Sequence, residues 1–565
     1  MTGVSDEYGA AVRWTDVDGV PVAWVDAEGP LAANLMFRVG KGDEQLYANG
    51  ITHLIEHLAL HPIGQVPHAH NGSVGTTFTS FVSSGDPAEV VAFLSAICRN
   101  LADLPIDRLE AERRVLAAER ARRPPTVQQL LLGLRYGASG PGLWQYDEFA
   151  SITAEPELLR TWSEAAFTRG NAVLVLSGPP PAGLSVPLPR GERVPVPPLR
   201  EAMPRLPAWF APGVTDAYAL AVVRRSVAAR VYGDALADEL LRRLRLDQAI
   251  AYTPSTSYEP YDAETAFLSI SADGHAEHLQ RVVDTLLATV HELPDLVTLP
   301  DAVLGAQRRS ADARSRPGAA LAAAQREAES LLLTGVVHPT SEVVADIAAL
   351  SAPDVADVGR AARASILYAL PTGSVVPPDR AVPAPLWSSR PAVSGRKLRY
   401  LDAGRGTPTS MFLAGDGVTI RYGATRTSTV LFAECEACLA WDDGRRLLVG
   451  PDGLQVAFTA DEWEDGEATL HTIDVATEHV RVEMPHEDPA PVAPPALPRR
   501  RIVGGSVRAR HRGPSITALV VALLLLGGAI GLAVNQFVAG GRPAGVALPI
   551  LVVLLLSSLL LRRGD

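Results

Sequence analysis

Two histidines and a glutamate at helical spacing, His53, Glu56 and His57, are the residues of this chain best placed for metal chemistry. Residues four apart on a helix lie one turn apart on the same face, so both imidazoles can reach one ion, and Glu56 projects from the same side. Two nitrogen ligands beside a carboxylate are the groups with which a zinc hydrolase binds its metal and deprotonates water. The alternative interpretation is a polar helix face without a metal.

A zinc site that hydrolyses a substrate usually has a third protein ligand and an open position for water. A helix predicted over residues 106–122 carries Glu112 and Glu119, which are seven residues apart and therefore lie on one face, two turns from each other. One of the two can bind the metal while the other fixes a ligand histidine by a hydrogen bond. Their spacing alone leaves open which carboxylate has which role.

Hydrophobic periodicity predicts two α+β regions around this site. Residues 10–180 contain the motif helix, 51–60, together with further predicted helices and with strands that include 74–82 and the buried strand 172–176. The proline-rich stretch 181–207 is predicted to be a linker, and residues 208–375 repeat the order of strands and helices of the first region. The sequence therefore predicts an α+β fold of two related domains, of which only the first carries the motif.

A smaller domain is predicted after the second region. A proline-rich linker, 377–397, leads into residues 398–485, where short apolar runs separated by Gly-Asp turns predict a small all-β domain with a slight resemblance to pleckstrin-homology modules. Cys435 and Cys438 form a single C-x-x-C in this domain without a second pair. We interpret them as buried structural thiols; the alternative is a redox or zinc site.

The C-terminal residues predict a membrane hairpin. After a Pro-rich and Arg-rich tether, 486–514, residues 516–534 and 543–561 are almost entirely apolar, each close to the roughly 20 residues that cross a bilayer as a helix. The alternative is a pair of buried helices. Arginines flank both ends of the hairpin, and by the positive-inside rule both ends face the cytoplasm. With no recognisable signal peptide, we expect a multi-pass membrane protein with two spans and cytoplasmic catalytic domains.

Composition narrows the range of partners and compartments. The formal net charge of −12 argues against nucleic acid as a partner. Three cysteines in 565 residues argue against a disulfide framework and fit a reducing compartment.

Motifs far apart in the chain resemble those of the insulinase/pitrilysin family of inverted-zincin metallopeptidases, which includes the mitochondrial processing peptidases. His53–His57 matches the metal-binding helix of that family, and Glu112 with Glu119 matches its E-x6-E pattern. Arg245 and Tyr252 match its Arg-x6-Tyr element. The resemblance spans both α+β domains.

The resemblance implies a zinc endopeptidase and assigns a role to each matched residue. Zn²⁺ would be held by His53, His57 and Glu119, while Glu112 would support a ligand histidine. Glu56 would take a proton from water and pass it to the leaving amine. The other two matched residues, Arg245 and Tyr252, would stabilise the oxyanion or the substrate backbone.

The resemblance also bears on the substrate and on partners. In the family a peptide adds as a strand to a sheet edge, and the matching segment here is 72–80. Thr76 and Thr77, before Phe78, replace the usual Asn-Ala, which leaves the specificity open. Family members enclose the substrate between two two-domain halves. Because this chain supplies one such half, we expect a homodimer or a paired homologous subunit.

The function expected from the sequence is that of a membrane-anchored, zinc-dependent endopeptidase acting on peptides or unfolded protein segments. The alternative is a relative that has lost catalysis and serves as a peptide-binding or scaffold protein. The complete set of motif residues favours the enzyme, because inactive members usually lose some of them. The sequence does not identify the substrate or its cleavage specificity.

Overall fold

The computed structural model describes residues 12–60, 69–120, 126–296, 299–314, 318–388, 390–401, 408–423 and 426–485. These residues form an α+β structure with four sheets. The first two sheets have six strands each and the last two have four. The prediction of an α+β fold is confirmed.

The first lobe is built on a sheet of six strands in the order β1-β2-β6-β3-β5-β4. All neighbours are antiparallel except β2 and β6, which are parallel. The strands are β1 (Arg13–Val17), β2 (Val20–Trp24), β3 (Leu31–Phe37), β4 (Ala69–Val74), β5 (Thr79–Gly85) and β6 (Ala172–Leu176). Because β4 ends the order, it has a free edge within the described sheet.

Six helices belong to the same stretch of chain: α1 (Ile51–Leu60), α2 (Pro87–Ala102), α3 (Leu109–Arg120), α4 (Val127–Tyr136), α5 (Ala150–Thr153) and α6 (Pro156–Ala166). All but α4 bury apolar residues against one face of the sheet. The helix predicted over residues 51–60 has the same bounds in the structure. This layer is the core on which the motif helix rests.

The second lobe repeats this plan. Its sheet has the order β12-β7-β11-β8-β10-β9. Strands β7 and β11 are parallel, as β2 and β6 are at the matching place, and β12 also runs parallel to β7. Its strands are β7 (Ala208–Phe210), β8 (Ala217–Arg224), β9 (Ser255–Pro260), β10 (Thr265–Ala272), β11 (Leu367–Ala369) and β12 (Val382–Pro383). Its helices are α7 (Val227–Leu241), α8 (Leu279–Glu292), α9 (Leu299–Arg314), α10 (Ala319–Thr334), α11 (Thr340–Ala349) and α12 (Ala352–Ser365). A π-helical turn, Arg242–Asp247, extends α7. Strand β12 lies in the stretch predicted to be a linker.

The two lobes exchange one helix each. Helix α10, from the second lobe, covers the outer face of the first sheet, where Ala324, Ala328 and Leu332 pack on strand residues of β2, β3 and β6. Helix α4, from the first lobe, covers the outer face of the second sheet through Leu131 and Tyr136. Each sheet therefore needs the other lobe to bury its second face, and the two lobes form one folded body.

The third lobe, which we call the β domain, consists of two four-stranded sheets and one helix. The strands are β13 (Arg396–Leu398), β14 (Ser410–Leu413), β15 (Gly417–Tyr422), β16 (Arg426–Leu431), β17 (Ala437–Ala440), β18 (Arg445–Val449), β19 (Gln455–Thr459) and β20 (Arg481–Glu483). The prediction of an all-β domain is wrong, because Gly466–Ala476 forms helix α13. This helix buries Thr469 and Ile473 four residues apart, a helical period that the surrounding Gly-Asp turns obscure. The likeness to pleckstrin-homology modules stays a prediction.

The prediction of a multi-pass membrane protein is corrected. Among the described residues, no helix is long and apolar enough to cross a membrane. The longest of these helices have 16 residues, about 24 Å of helix against a hydrocarbon core of about 30 Å. The two predicted spans, 516–534 and 543–561, and the tether before them lie outside the described residues.

Candidate metal centre and active site

Helix α1 places the motif residues on the side opposite its buried stripe. Its apolar residues fall at the steps of an amphipathic helix and are fully buried: Ile51, Leu54, Ile55, Leu58 and Ala59. The N-terminus of the helix is fixed by the buried carboxylate of Glu44, which accepts hydrogen bonds from the amides of Gly50 (2.5 Å) and Thr52 (3.0 Å). The start of α1, and with it the position of the motif, is therefore held by a side chain from the preceding loop.

The side chains of the three predicted metal ligands lie close together. His53, His57 and Glu119 each offer one ligand atom, and these atoms lie within 4.8 Å of one another. The Nε2 atom of His57 is 3.8 Å from Oε1 of Glu119. Helix α3 makes this possible because Leu109 and Leu116 anchor it in the core with a seven-residue period. Glu112 and Glu119 follow the same period on the adjacent face toward α1.

Glu112 lies behind His57, as the sequence predicted for one of the two α3 carboxylates. Its Oε2 atom is 3.4 Å from His57 Nδ1, and the residue is buried. A carboxylate at Nδ1 favours the tautomer that keeps the proton on that nitrogen and leaves Nε2 free for a metal. Burial and the neighbouring His53 lower the pKa of His57, which also favours the neutral ligand form.

Sequence reasoning missed a second carboxylate, Glu148. Its two oxygens are 3.0 and 3.2 Å from His53 Nδ1, and Lys41 Nζ donates a 3.1 Å hydrogen bond to it. Burial acts to raise the pKa of Glu148, but the hydrogen bonds and charges of His53 and Lys41 outweigh it and lower the pKa to about 2. For His53, burial acts to lower the pKa, and the contact with Glu148 outweighs this effect and raises it.

Glu56 lies between the two histidines. Its Oε2 atom is 3.9 Å from His53 Nε2 and 3.8 Å from His57 Nε2, so it faces the same space as the ligand nitrogens. The residue is 4% exposed. Burial is the main reason why its pKa rises to about 7; His53 acts in the opposite direction, and three neighbouring carboxylates add to the rise.

Strand β4 runs directly beside Glu56. A Cβ atom at Gly72 would lie 1.9 Å from Glu56 Oε1 and 2.6 Å from Leu60 Cδ1, so only glycine leaves room for the carboxylate. The free edge of the first sheet and the proposed base are therefore adjacent. Nothing in the sequence pattern points to this contact directly, although a glycine within a strand often marks a close approach of two groups.

The predicted substrate residues Thr76, Thr77 and Phe78 lie in the turn between β4 and β5, and not on the edge strand. Their backbone is already engaged, because Gly42 donates to the Thr76 carbonyl (2.8 Å) and Arg38 Nη1 to the Thr77 carbonyl (2.9 Å). The Phe78 carbonyl accepts from the amide of Gly75. The strand with a free edge is β4, which precedes this turn.

Arg245 and Tyr252 lie together, with the Arg245 guanidinium 5.4 Å from the centre of the Tyr252 ring. Arg245 lies in the π-helical turn after α7, and Tyr252 is 74% exposed. The Arg245 guanidinium also donates to the Tyr252 carbonyl (3.4 Å), and the Tyr252 amide donates to Asp273 (3.0 Å). The structure therefore pairs the two residues but gives no contact between them and the His-His-Glu group.

The residues present fit a zinc ion. Two imidazole nitrogens and one carboxylate oxygen are ligands that catalytic zinc sites use, and each imidazole has a carboxylate at its Nδ1 atom. Bonds of about 2.1 Å in tetrahedral geometry bring ligand atoms about 3.4 Å apart, so the group needs only a small contraction from its present spacing.

Comparison with known proteins gives the fold. No family model matches the sequence, and no curated protein matches it either. Solved structures do match. The peptidase M16 inactive domain from Pseudomonas fluorescens has a TM-score of 0.53 at 14% identity, over 65% of this chain and 100% of that one. A putative M16-like peptidase from Alicyclobacillus acidocaldarius has a TM-score of 0.51 at 14% identity, with the same coverage.

Pitrilysin itself matches with a TM-score of 0.50 at 15% identity, over 66% of this chain and 46% of its own. The chain therefore has the fold of M16 peptidases and spans about half the length of pitrilysin. At this level of identity the matches define the fold and not the activity. The predicted pitrilysin-like fold is confirmed, whereas a specificity like that of the mitochondrial processing peptidases has no support.

Proposed function

We propose that this protein is a zinc-dependent endopeptidase that acts on extended peptides or unfolded protein segments. The observation that carries the proposal is the convergence of His53, His57 and Glu119, from two helices, around a space that Glu56 also faces. The M16-like fold supports the same assignment. A bound zinc ion would lower the pKa of a water molecule and polarise the scissile carbonyl.

Each residue has a role that follows from its place. His53, His57 and Glu119 would hold the metal, with Glu112 orienting the imidazole of His57. Glu56 holds the proton taken from the attacking water and delivers it to the leaving amine. Its burial and its position between both ligand nitrogens keep it close to the reacting atoms.

Strand β4 is the proposed binding surface for the peptide. It lies at the edge of the first sheet, and Gly72 on this strand touches Glu56. A peptide that pairs with this edge would be held by main-chain hydrogen bonds, which are largely independent of sequence. Tyr252 and Arg245 are a second proposed contact with the substrate, since the tyrosine ring is exposed.

A protein partner is part of the proposal. The structural match to the M16-like peptidase from Alicyclobacillus acidocaldarius extends over 100% of that chain, whereas the match to pitrilysin extends over only 46% of the pitrilysin chain. One solved chain with the same fold, which matches over 63% of this chain, comes from a multi-subunit assembly, complex III2 from Candida albicans. We therefore include a homodimer or a homologous second subunit that closes the cleft from the other side.

A second candidate function is a peptide-binding or scaffold role without catalysis. It is favoured by one comparison, because a matching structure is described as an inactive M16 domain. Both candidates predict binding of extended peptides to β4. They differ in metal binding and in cleavage, so one experiment separates them.

The test uses the full-length protein, purified after metal removal and titrated with zinc. We expect about one zinc per chain and cleavage of an unstructured peptide pool, detected by mass spectrometry. Glu56→Gln should retain zinc but lower kcat/KM by about 10²- to 10⁴-fold, the range for loss of a general base. Glu110→Gln, an exposed glutamate on α3, is the matched control and should behave as wild type.

Glu119→Gln should weaken zinc binding itself, which separates the ligand from the base. Peptide binding without zinc and without cleavage would support the scaffold role and refute the enzyme. Zinc-dependent cleavage that survives Glu56→Gln would refute the assignment of the base but not that of the metal site.

A further inference from the structure

We propose that Glu148 is the positioning residue for the metal ligand His53, and that the β domain holds Glu148 in place. The inference rests on the proposed metal site and adds a function for the domain that follows the M16-type lobes. It is carried by three sets of contacts: those of Glu148 with His53, those of its backbone with the start of α1, and those of its loop with the β domain.

The first set fixes the imidazole. Both carboxylate oxygens of Glu148 lie within hydrogen-bond distance of His53 Nδ1, at 3.0 and 3.2 Å. The buried ammonium group of Lys41 donates a hydrogen bond to the same carboxylate and is itself 5.2 Å from the centre of the Trp144 ring. With a proton on Nδ1, the lone pair of Nε2 is directed toward the metal position.

The second set fixes the backbone of Glu148 to α1. The side-chain amide of Asn49 donates a 2.8 Å hydrogen bond to the carbonyl of Asp147, and the Ala150 amide donates to the Asn49 carbonyl at 2.9 Å. Gly50 has a φ of +88°, and a Cβ there would lie 2.4 Å from Glu148 Cβ. The glycine before α1 therefore allows Glu148 to lie directly against the start of the motif helix.

The third set connects the same loop to the β domain. Leu143 and Phe149, which lie before and after Glu148 in the chain, are buried in one apolar cluster with Leu439 and Val449 of the β domain. The Ala138 amide also donates to the Pro451 carbonyl at 3.2 Å. Residues 137–149 thus contact the metal-site helix on one side and the β domain on the other.

The two metal histidines are consequently supported in different ways. Glu112 reaches His57 from α3, which is anchored in the core of the first lobe. Glu148 reaches His53 from a loop whose apolar side chains are covered by the β domain. Loosening that interface should therefore affect the His53 side of the site.

The experiment measures zinc affinity of the full-length chain by competition with a chromophoric chelator, together with the visible absorption spectrum of the cobalt(II)-substituted protein. Glu148→Gln should weaken zinc binding by about 10- to 100-fold, the usual effect of losing a carboxylate behind a ligand histidine. It should also change the cobalt spectrum, because the geometry at His53 changes. Glu157→Gln, an exposed glutamate with a single ion pair to Arg160, is the matched control and should leave both unchanged.

The role of the β domain is tested by two leucines of similar burial. Leu439 faces the first lobe, whereas Leu448 lies in the β domain's own core. At a temperature where both variants are folded, Leu439→Ala should weaken zinc binding and shift the cobalt spectrum in the same direction as Glu148→Gln. Leu448→Ala should lower the melting temperature but leave zinc affinity and the spectrum as in wild type.

The outcomes separate this inference from the proposed function. If wild type binds zinc and Glu148→Gln binds it equally with an unchanged cobalt spectrum, Glu148 does not position His53 and the inference is wrong. If Glu148→Gln has its effect but Leu439→Ala does not, the part assigned to the β domain is refuted. If wild type binds neither zinc nor cobalt, the metal site itself fails, and the role of Glu148 fails with it.

Discussion

Gly72 on β4 offers a direct test of the position of the catalytic base, because an added methyl group there displaces Glu56 without altering its chemistry. In Gly72→Ala the new Cβ would lie 1.9 Å from Glu56 Oε1. An ordinary van der Waals contact begins at about 3.4 Å, so the oxygen must move by about 1.5 Å. The nearest atoms, in Glu56 and Leu60, are at the ends of flexible side chains, and the backbone of β4 can stay in place.

A displacement of about 1 Å at a reacting group can lower a rate by about 100-fold. We therefore expect kcat/KM of Gly72→Ala to fall about 100-fold, equivalent to about 2.7 kcal/mol in transition-state stabilisation. Zinc affinity should remain as in wild type, because the atoms nearest the added Cβ belong to Glu56 and Leu60 and not to a metal ligand. Steady-state cleavage of a fluorogenic peptide and zinc titration measure the two quantities separately.

A double-mutant cycle shows whether the effect passes through Glu56. If Gly72→Ala acts by moving the carboxylate, it should cost little further activity in the Glu56→Gln background. Gly75→Ala is the matched control from the next turn, since its Cβ would meet only the Phe78 carbonyl oxygen, at 3.3 Å. Wild-type activity in Gly72→Ala, or full additivity with Glu56→Gln, would refute the proposed position of the base.

Two further predictions concern stability. Leu332→Ala on α10 should lower the free energy of unfolding by about 2–5 kcal/mol, because Leu332 is buried against the sheet of the other lobe. The control is Val336→Ala, at an exposed position just beyond the helix. Equal effects of the two substitutions in urea denaturation would contradict the packing of α10 on the first sheet. The pKa of Asp18 is held below its ordinary value by hydrogen bonds from the Val186 amide and the Ser185 hydroxyl. The stabilisation of the folded state by the Asp18 carboxylate is thus present above about pH 3.9 and is lost as the pH falls through the lowered pKa. Asp18→Asn should therefore reduce the fall in the free energy of unfolding at acid pH. An acid limb of the stability–pH curve that is the same as in wild type would exclude Asp18 as a cause of this fall.

The metal site could be predicted from the sequence because its spacing is local. Five consecutive residues of one helix contain His53, Glu56 and His57. A second helix carries Glu112 and Glu119, two turns apart. In each case the helical period fixes which side chains share a face. The structure then places the two helices side by side, which the sequence alone could not show.

Glu148 could not be found in this way. It lies in a stretch between α4 and α5 where short 3₁₀ turns give no regular period. Its partner His53 is 95 residues earlier in the chain, and the contact depends on a backbone approach that Gly50 permits. A single glutamate at such a distance carries no local signal of its partner.

The edge strand was missed for a different reason. Alternation of apolar and polar residues over 74–82 predicts a single strand there. The structure has a hairpin, with β4 over Ala69–Val74 and β5 over Thr79–Gly85. Strand β4 contains mostly small and polar residues, and its pairing depends on β5 alone. Hydrophobic pattern could therefore not identify the strand that we propose binds the peptide.

The exchange of α4 and α10 explains why the repeat is a single folding unit and not two separable domains. In each lobe a sheet has two apolar faces, but the lobe's own helices bury only one of them. The remaining faces are covered by Leu131 and Tyr136 in one direction and by Leu332 in the other. The metal-binding helix rests on the first of these sheets, and the loop that follows α4 carries Glu148. One continuous stretch of chain, residues 127–150, thus packs on the second sheet, packs on the β domain and carries the carboxylate that contacts His53. Through this stretch the second lobe and the β domain are connected to the proposed metal centre.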